Sequence, residues 1–443
     1  MLQQVSLAQI AQVLSATAVN CNFQELINGV TTDSRNIHPG NLFVALQGEN
    51  FDGHNFAVGA IADGAIACVC STSPSDNIPH LLVQDTLVAY QTLGRWWREQ
   101  FKIPVIAITG SVGKTTTKEL IASVLATQGK VLKTQANYNN EIGVPKTLLE
   151  LSSDDKFAVI EMAMRGRGQI AELAQIAVPT IGIITNVGTA HIGLLGSEQA
   201  ISEAKCELLA EMPSDSVAIL NNDDARLMQT AATVWQGKTI TYGLTGGDIN
   251  GELIASDTLK VGDLTFNLPL AGKHNALNYL AALAVAQVLN IDWTSLQSGV
   301  EINMPSGRSQ RYDLPNDISL LDETYNAGLE SMLAALELLA ETPGTRRIAV
   351  LGTMKELGTH SETLHQRVGA KAAQLPIDKL LVLVDDAEAQ AIATAATGMM
   401  VECFPSHDLL TARLRNLMQS GDRILFKASH SVGLDRIVQA LRQ

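Results

Sequence analysis

Short apolar runs recur along the chain, each closed by glycine or a polar cluster and followed by a stretch whose apolar residues return at helical spacing. Over residues 1–100 an opening helical pattern is followed by runs at 42–46 and 65–70, punctuated by Gly29, Gly40, Gly48, Gly53 and Gly64. This predicts a small α/β unit. From Pro104 the order becomes strand over 105–109, glycine loop over 110–113, then a helix that ends before Gly129. Strand-like runs at 157–160, 181–185 and 217–220 alternate with helical segments, which predicts a parallel sheet with helices on its faces. A third alternation, with strands at 319–321, 348–351, 380–384 and 423–427, predicts a C-terminal α/β unit of Rossmann-like type. No internal repeat is present. The expectation is an α/β protein of three domains over 1–100, 101–310 and 311–443, since 443 residues exceed the ~250–300 at which single cores stop growing.

Composition sharpens this picture by exclusion. An apolar fraction of 46% with 17% charged residues belongs to a folded chain. The excess of 45 acidic over 31 basic side chains, net −14, opposes nonspecific binding to nucleic acid or anionic lipid, so neither is an expected partner. No Lys or Arg precedes Arg35, and apolar stretches such as 280–289 fall short of the ~20 residues that span a bilayer. A cytoplasmic, monomeric protein is expected. Cys21, Cys68, Cys70, Cys206 and Cys403 lack metal-ligand spacing and are expected to pack as small buried hydrophobes.

The chemistry begins at Gly110-Ser111-Val112-Gly113-Lys114-Thr115-Thr116. Between a strand and a helix, glycines let several backbone N–H groups converge on one anion, and the helix N-terminus adds partial positive charge. Lys114 is placed to reach the β- and γ-phosphates and Thr115 to offer a hydroxyl to magnesium. Ile108 stands where the longer phosphate-loop pattern has another glycine, so this is a shortened variant.

Ligands of parallel sheets gather beyond the carboxyl ends of strands, where Glu161, Asn186, His191 and the 221–224 cluster fall. Alone, Glu161 is as well read as a turn cap, and His191 as a structural histidine; beside Lys114 they become site candidates. By composition Lys205 is a solvated helix lysine with neighbouring ion pairs. Asn275 and Asn278, ahead of an apolar helix, are either caps or readers of an adenine edge.

Taken together, Thr109 to Thr117, Asn137 to Pro145, Glu161 to Arg167, Asn186 to His191, Lys205, His274 to Asn278 and Asp322-Glu-Thr-Tyr-Asn-Ala327 resemble the Mur ligases over nearly the whole chain. The resemblance implies three domains: one for the UDP end of a precursor, a central phosphate-loop ATPase, and a mobile C-terminal domain for the incoming amino component. Thr32 to Arg35, Gly40 to Leu46, Phe51 to His54 and Leu351 to Leu357 narrow the implied substrates to UDP-MurNAc-tripeptide and D-alanyl-D-alanine, joined through an acyl phosphate. It further implies ATP and two Mg²⁺ ions, one held by Thr115 and Glu161 and a second by His191 and a carbamylated Lys205. Lys114, Glu161, His191 and Lys205 are the implied catalytic group. Asn275, Asn278, Arg308, Asp322, Tyr325 and Asn326 resemble nucleotide contacts beside the 110–116 loop. Asp33, Ser34, Arg35, Asn139, Asn140, Lys427 and Ser429 resemble substrate contacts. The chain departs from the family's usual residues at 327–330, which reads Ala-Gly-Leu-Glu without a proline, at Thr353 in place of aspartate, and at His430 in place of arginine.

Overall fold

The computed structural model describes residues 5–74, 77–384 and 386–442. Side-chain alternation explains how its sheets are buried. In the strand Val105–Thr109, Val105 and Ala107 enter one apolar core while Ile106 and Ile108 enter another, so both faces are covered. The same parity separates Leu42 and Val44 from Phe43, and Ala349 and Leu351 from Ile348 and Val350. One apolar core, containing Val44, Val105 and Ala349, therefore runs through all three units.

The first sheet has five strands in the order Thr17–Val19, His80–Leu82, Ala67–Cys70, Asn41–Val44, Gly29–Thr31, parallel except for the first pair. The central sheet has nine. From one edge, Lys130–Lys133, Asp155–Glu161, Val105–Thr109, Ile181–Ile184, Val217–Asn221, Lys238–Gly243 and Ile249–Ala255 run parallel. Thr258–Val261 and Leu264–Asn267 then extend the sheet as an antiparallel meander, which the sequence reading did not anticipate. The meander exposes alternate side chains, so it lacks the continuous apolar runs that mark the parallel strands. The third sheet has six strands in the order Gln310–Leu314, Ile318–Asp322, Asp422–Lys427, Arg346–Leu351, Lys379–Leu383, Met400–Phe404, parallel except for the first pair.

The helix Thr86–Glu99, capped by Asp85, joins the first unit to the second. Its Arg98 guanidinium donates to the carbonyls of Ala177 and Val178 at 2.9 and 3.1 Å, and its Trp97 indole donates to Leu151 O at 3.0 Å. Among the described residues no helix is long and apolar enough to cross a membrane. Cys68, Cys70 and Cys206 are buried as expected, and Cys21 is half-buried. Cys403 is exposed, contrary to expectation, because its strand forms the edge of the third sheet, where no residue of the strand is fully buried.

Candidate active site

The strand Val105–Thr109 delivers the 110–113 loop to the helix Lys114–Ala126. Gly113 has φ +82°, and a Cβ there would lie 2.6 Å from Asn278 Oδ1, so the position requires glycine. Asn186 staples the loop: its Oδ1 accepts from Val112 N, its Nδ2 donates to Val112 O, and its carbonyl accepts from Ser111 N, each at 3.0 Å. Lys114 Nζ lies over the loop, donating to Gly110 O at 2.8 Å. Burial pushes this ammonium below its ordinary value, with Glu161 opposing. Thr116 is half-buried on the same first turn.

Thr115 Oγ1 donates to Glu161 Oε2 at 2.9 Å, and Asn139 Nδ2 donates to Glu161 Oε1 at 2.8 Å. Behind them lies a buried network that sequence reasoning missed. Lys118 Nζ donates to Thr134 O at 2.7 Å, pairs with Glu119 at 3.1 Å and sits 3.9 Å from Glu161 Oε2, while Lys133 pairs with Glu119 from the other side. Lys118 falls one helical turn after Lys114 and just ahead of the apolar residues 120–122, a spacing that carried the signal. A hydroxyl and a carboxylate beside a phosphate loop form a hard-oxygen pair suited to Mg²⁺. Among the described residues no cluster of three or more His, Cys, Asp or Glu forms a metal cage, so such an ion would take its remaining oxygens from phosphate and water.

The helix Glu198–Glu211 buries Lys205, only 2% exposed, which overturns the solvated-surface reading. Burial, then the nearby Lys114 charge, pushes its amine well below the ordinary value. His191 stands at φ +67° before the short helix Ile192–Leu195, its Nδ1 2.7 Å from Glu356 Oε2. Burial and Lys114 lower its pKa while Glu356 pulls the other way.

At the start of the helix Lys273–Val288 the N-cap is Gly272, so neither asparagine is the cap. Asn278 Oδ1 accepts from Thr117 Oγ1 at 3.1 Å, and Asn278 Nδ2 donates to Asn275 Oδ1 at 3.3 Å, which ties this helix to the one behind the loop. Across from it, Arg308 stacks 3.8 Å over Tyr325, whose ring lies 5.7 Å from that of His430. Arg308 Nε is buried without a partner. Asp322 ends the strand Ile318–Asp322; it accepts from Thr324 N and Oγ1 at 3.1 and 2.6 Å, and burial raises its pKa. Lys427 Nζ donates to Asn326 O at 3.0 Å, and Ser429 Oγ accepts from Lys355 N at 2.9 Å. Thr353 donates to Asp386 at 2.8 Å, which places a carboxylate beside one of the departures.

Asp33, Ser34 and Arg35 form a turn after the strand Gly29–Thr31, where Arg35 forks onto Asp33 at 2.8 and 2.9 Å. That guanidinium holds the Asp33 carboxyl down at about 2, with Lys146 of the central unit adding a smaller pull. Asn140 accepts from Gly143 N at 2.9 Å and so serves the helix Gly143–Leu149, whereas its neighbour Asn139 touches Glu161. Sequence reasoning also gave no role to Glu330, which accepts from Thr189 N at 2.8 Å and Oγ1 at 3.3 Å, or to Glu356.

This architecture and site match a known family along most of the chain. The Mur ligase middle domain matches residues 108–286, the glutamate ligase domain 307–430, and the Mur ligase family catalytic domain 26–93. The chain belongs to the Mur ligase family. It is 59% identical over 418 residues to the UDP-N-acetylmuramoyl-tripeptide--D-alanyl-D-alanine ligase of Synechocystis sp., covering 94% of this chain and 92% of that protein. It is similar to the crystal structure of MurF from Acinetobacter baumannii, with TM-score 0.92 and 31% identity over 100% of this chain and 99% of that one. The MurF ligase of Thermotoga maritima in complex with ADP matches with TM-score 0.84 and 29% identity, over 94% and 97% of the two chains.

Proposed function

We propose that this chain joins D-alanyl-D-alanine to UDP-N-acetylmuramoyl-tripeptide with consumption of ATP, giving the pentapeptide precursor of peptidoglycan. One observation carries the reading: the phosphate loop, the Thr115–Glu161 oxygen pair and the buried Lys205, close enough to Lys114 to feel its charge, converge beneath the C-terminal unit, in a chain whose relatives along its length carry that activity in their names. In this reading residues 1–100 hold the UDP end, 101–310 bind ATP and 311–443 bring the dipeptide. The protein acts as a cytoplasmic monomer.

A carboxylate is a poor acyl donor near neutral pH, so the tripeptide's terminal carboxylate first attacks the γ-phosphorus of ATP and ADP leaves. The N–H groups of 110–113 and the Lys114 ammonium offset the negative charge on the transferring phosphoryl group. The dipeptide amine then attacks the acyl phosphate; the tetrahedral intermediate collapses, inorganic phosphate departs and the amine proton is released. Docking of the C-terminal unit keeps water from the acyl phosphate.

Thr115 and Glu161 would hold the Mg²⁺ that accompanies ATP, and a Lys205 carbamate with His191 a second ion, each supplying charge compensation at phosphoryl oxygens. Burial of Lys205 favours the uncharged amine relative to a free lysine; that is the form that adds CO₂, and the resulting anion, unlike an ammonium, can ligate a cation. Arg308, with its unpartnered Nε, and Tyr325 fit a nucleotide base and its sugar, while Asp33 to Arg35 fit the UDP-sugar.

The test is phosphate release from ATP and Mg²⁺ with UDP-muramoyl-tripeptide, with and without D-alanyl-D-alanine, and mass analysis of the product. Release that needs both substrates and yields pentapeptide supports the reading; turnover without a peptide product defeats the dipeptide assignment.

A further inference from the structure

The segment that carries His191 is gripped from both sides. Toward the phosphate loop, Asn186 holds Ser111 and Val112, and Gly188 N donates to Ser111 Oγ at 2.8 Å. Toward the C-terminal unit three alternate residues are engaged. Thr189 meets the Glu330 carboxylate at 2.8 Å, His191 Nδ1 meets Glu356 Oε2 at 2.7 Å, and Gly193 N donates to Glu356 O at 3.3 Å.

An exposed ion pair at such a distance is ordinarily worth little. Two observations set this one apart. Both His191 and Glu356 occupy left-handed backbone, at φ +67° and +65°, a conformation unfavourable for a residue with a side chain and one that surrounding contacts must impose. Beside them Gly193 and Gly358 pack backbone to backbone, so close that a Cβ on Gly193 would sit 2.7 Å from Gly358 N. The two strained residues are thus presented to each other across a seam made by glycines.

We infer that Glu356 is a positioning residue for His191: by accepting from Nδ1–H it fixes the tautomer and ring orientation that leave Nε2 as the free lone pair. A histidine that binds a cation commonly donates its other N–H to a carboxylate, and loss of that carboxylate costs about 10–100-fold in metal affinity or activity. Here the carboxylate comes from a different unit than the imidazole, so His191 is correctly presented only when the C-terminal unit is docked. Docking and readiness of the phosphate-transfer site are one event. This inference rests on the ligase reading above.

The test uses Glu356→Gly, since glycine accepts the backbone conformation at 356 while removing the carboxylate, and Glu356→Gln, which keeps an acceptor oxygen. The ¹⁵N signals of labelled histidine, with His191→Gln to identify the resonance, read the tautomer of His191 without metal or turnover. The expected result is a predominant Nδ1–H form in the native protein and in Glu356→Gln, and its loss in Glu356→Gly. Glu356→Gly is also expected to weaken Mn²⁺ binding and lower kcat about 10–100-fold, with ATP affinity unchanged. An unchanged tautomer in Glu356→Gly overturns the inference, as does equal loss of kcat in the glycine and glutamine variants. If the native protein makes no pentapeptide, the ligase reading has failed; the tautomer result then still decides the role of Glu356.

Discussion

Two polar pairs of nearly equal length do opposite things in this molecule. Thr115 and Glu161 meet at 2.9 Å with both side chains almost wholly buried, and Arg35 and Asp33 meet at 2.8 Å on the surface, where the side chains are 87% and 45% exposed. Water screens the surface pair and competes for its donors, so it contributes little to folding and remains free to exchange its partner for a ligand. The buried pair has no water to fall back on. Its members are tied to Asn139 and to the Lys118–Glu119–Lys133 network, which fixes two oxygens beside the phosphate loop before any ligand arrives. Burial, and not bond length, separates a preorganised site from an adaptable one.

The contrast can be broken at its strongest point by Lys114→Ala or Glu161→Ala. Each is expected to lower ligation by about 10²–10³-fold or more, measured as phosphate release. Glu161→Ala should in addition lose about 1–3 kcal/mol of stability in urea titration, because Thr115 and Asn139 are left without their acceptor in a buried setting.

Lys205→Met sharpens the comparison from another side. Activity is expected to fall below detection while folding at pH 7 is as stable as in the native chain or more so. The sign follows from the depressed pKa of the folded state: the unfolded chain holds the lysine proton more tightly than the folded chain, so the native lysine costs stability near neutrality. That cost fades as pH rises toward the ordinary lysine value of 10.5, and the gap between variant and native protein in CO₂-free buffer should close in that direction. A gap that widens with pH would sink the account.

The smallest structural effect is expected at the surface. Arg35→Ala should leave the thermal midpoint unchanged at pH 7 while raising KM for the UDP-precursor about tenfold, a loss typical of one charge-assisted contact. Because Asp33 is held near 2, what little its pairing adds to stability is fully present above about 4 and disappears only as pH falls through about 2.

How far the sequence reveals these sites depends on the distance over which a contact is specified. The phosphate loop is legible because an apolar strand, glycines and a helix start lie within one short segment. Glu161 is legible because it directly follows the uninterrupted apolar run 157–160 at the end of its strand. Lys205 is recognisable only by resemblance, since Ser202, Glu203 and Glu207 around it mimic a solvated helix, and burial comes from packing on neighbouring helices. Glu330 and Glu356 escape for a different reason. Thr189 finds Glu330 across 141 residues and His191 finds Glu356 across 165, separations that no local pattern encodes. The antiparallel meander escapes because its half-exposed strands dilute the apolar signal, and Cys403 because the edge of a sheet is a property of topology.

The position of the strand Val105–Thr109 has a consequence for how the chain reaches its folded state. Val105 pairs with Ala158 and Ile106 with Ile181, so the strand acquires its two neighbours only after long loops have closed on both sides. Loop closure is an entropic toll met before the pairing returns any gain, which makes such sheets slow to assemble. The nucleotide loop hangs from the end of this strand, and its staple, Asn186, lies just past the second neighbour. Affinity for ATP therefore emerges late in folding, together with the finished sheet, and nucleotide present during refolding selects completed molecules without hastening their formation.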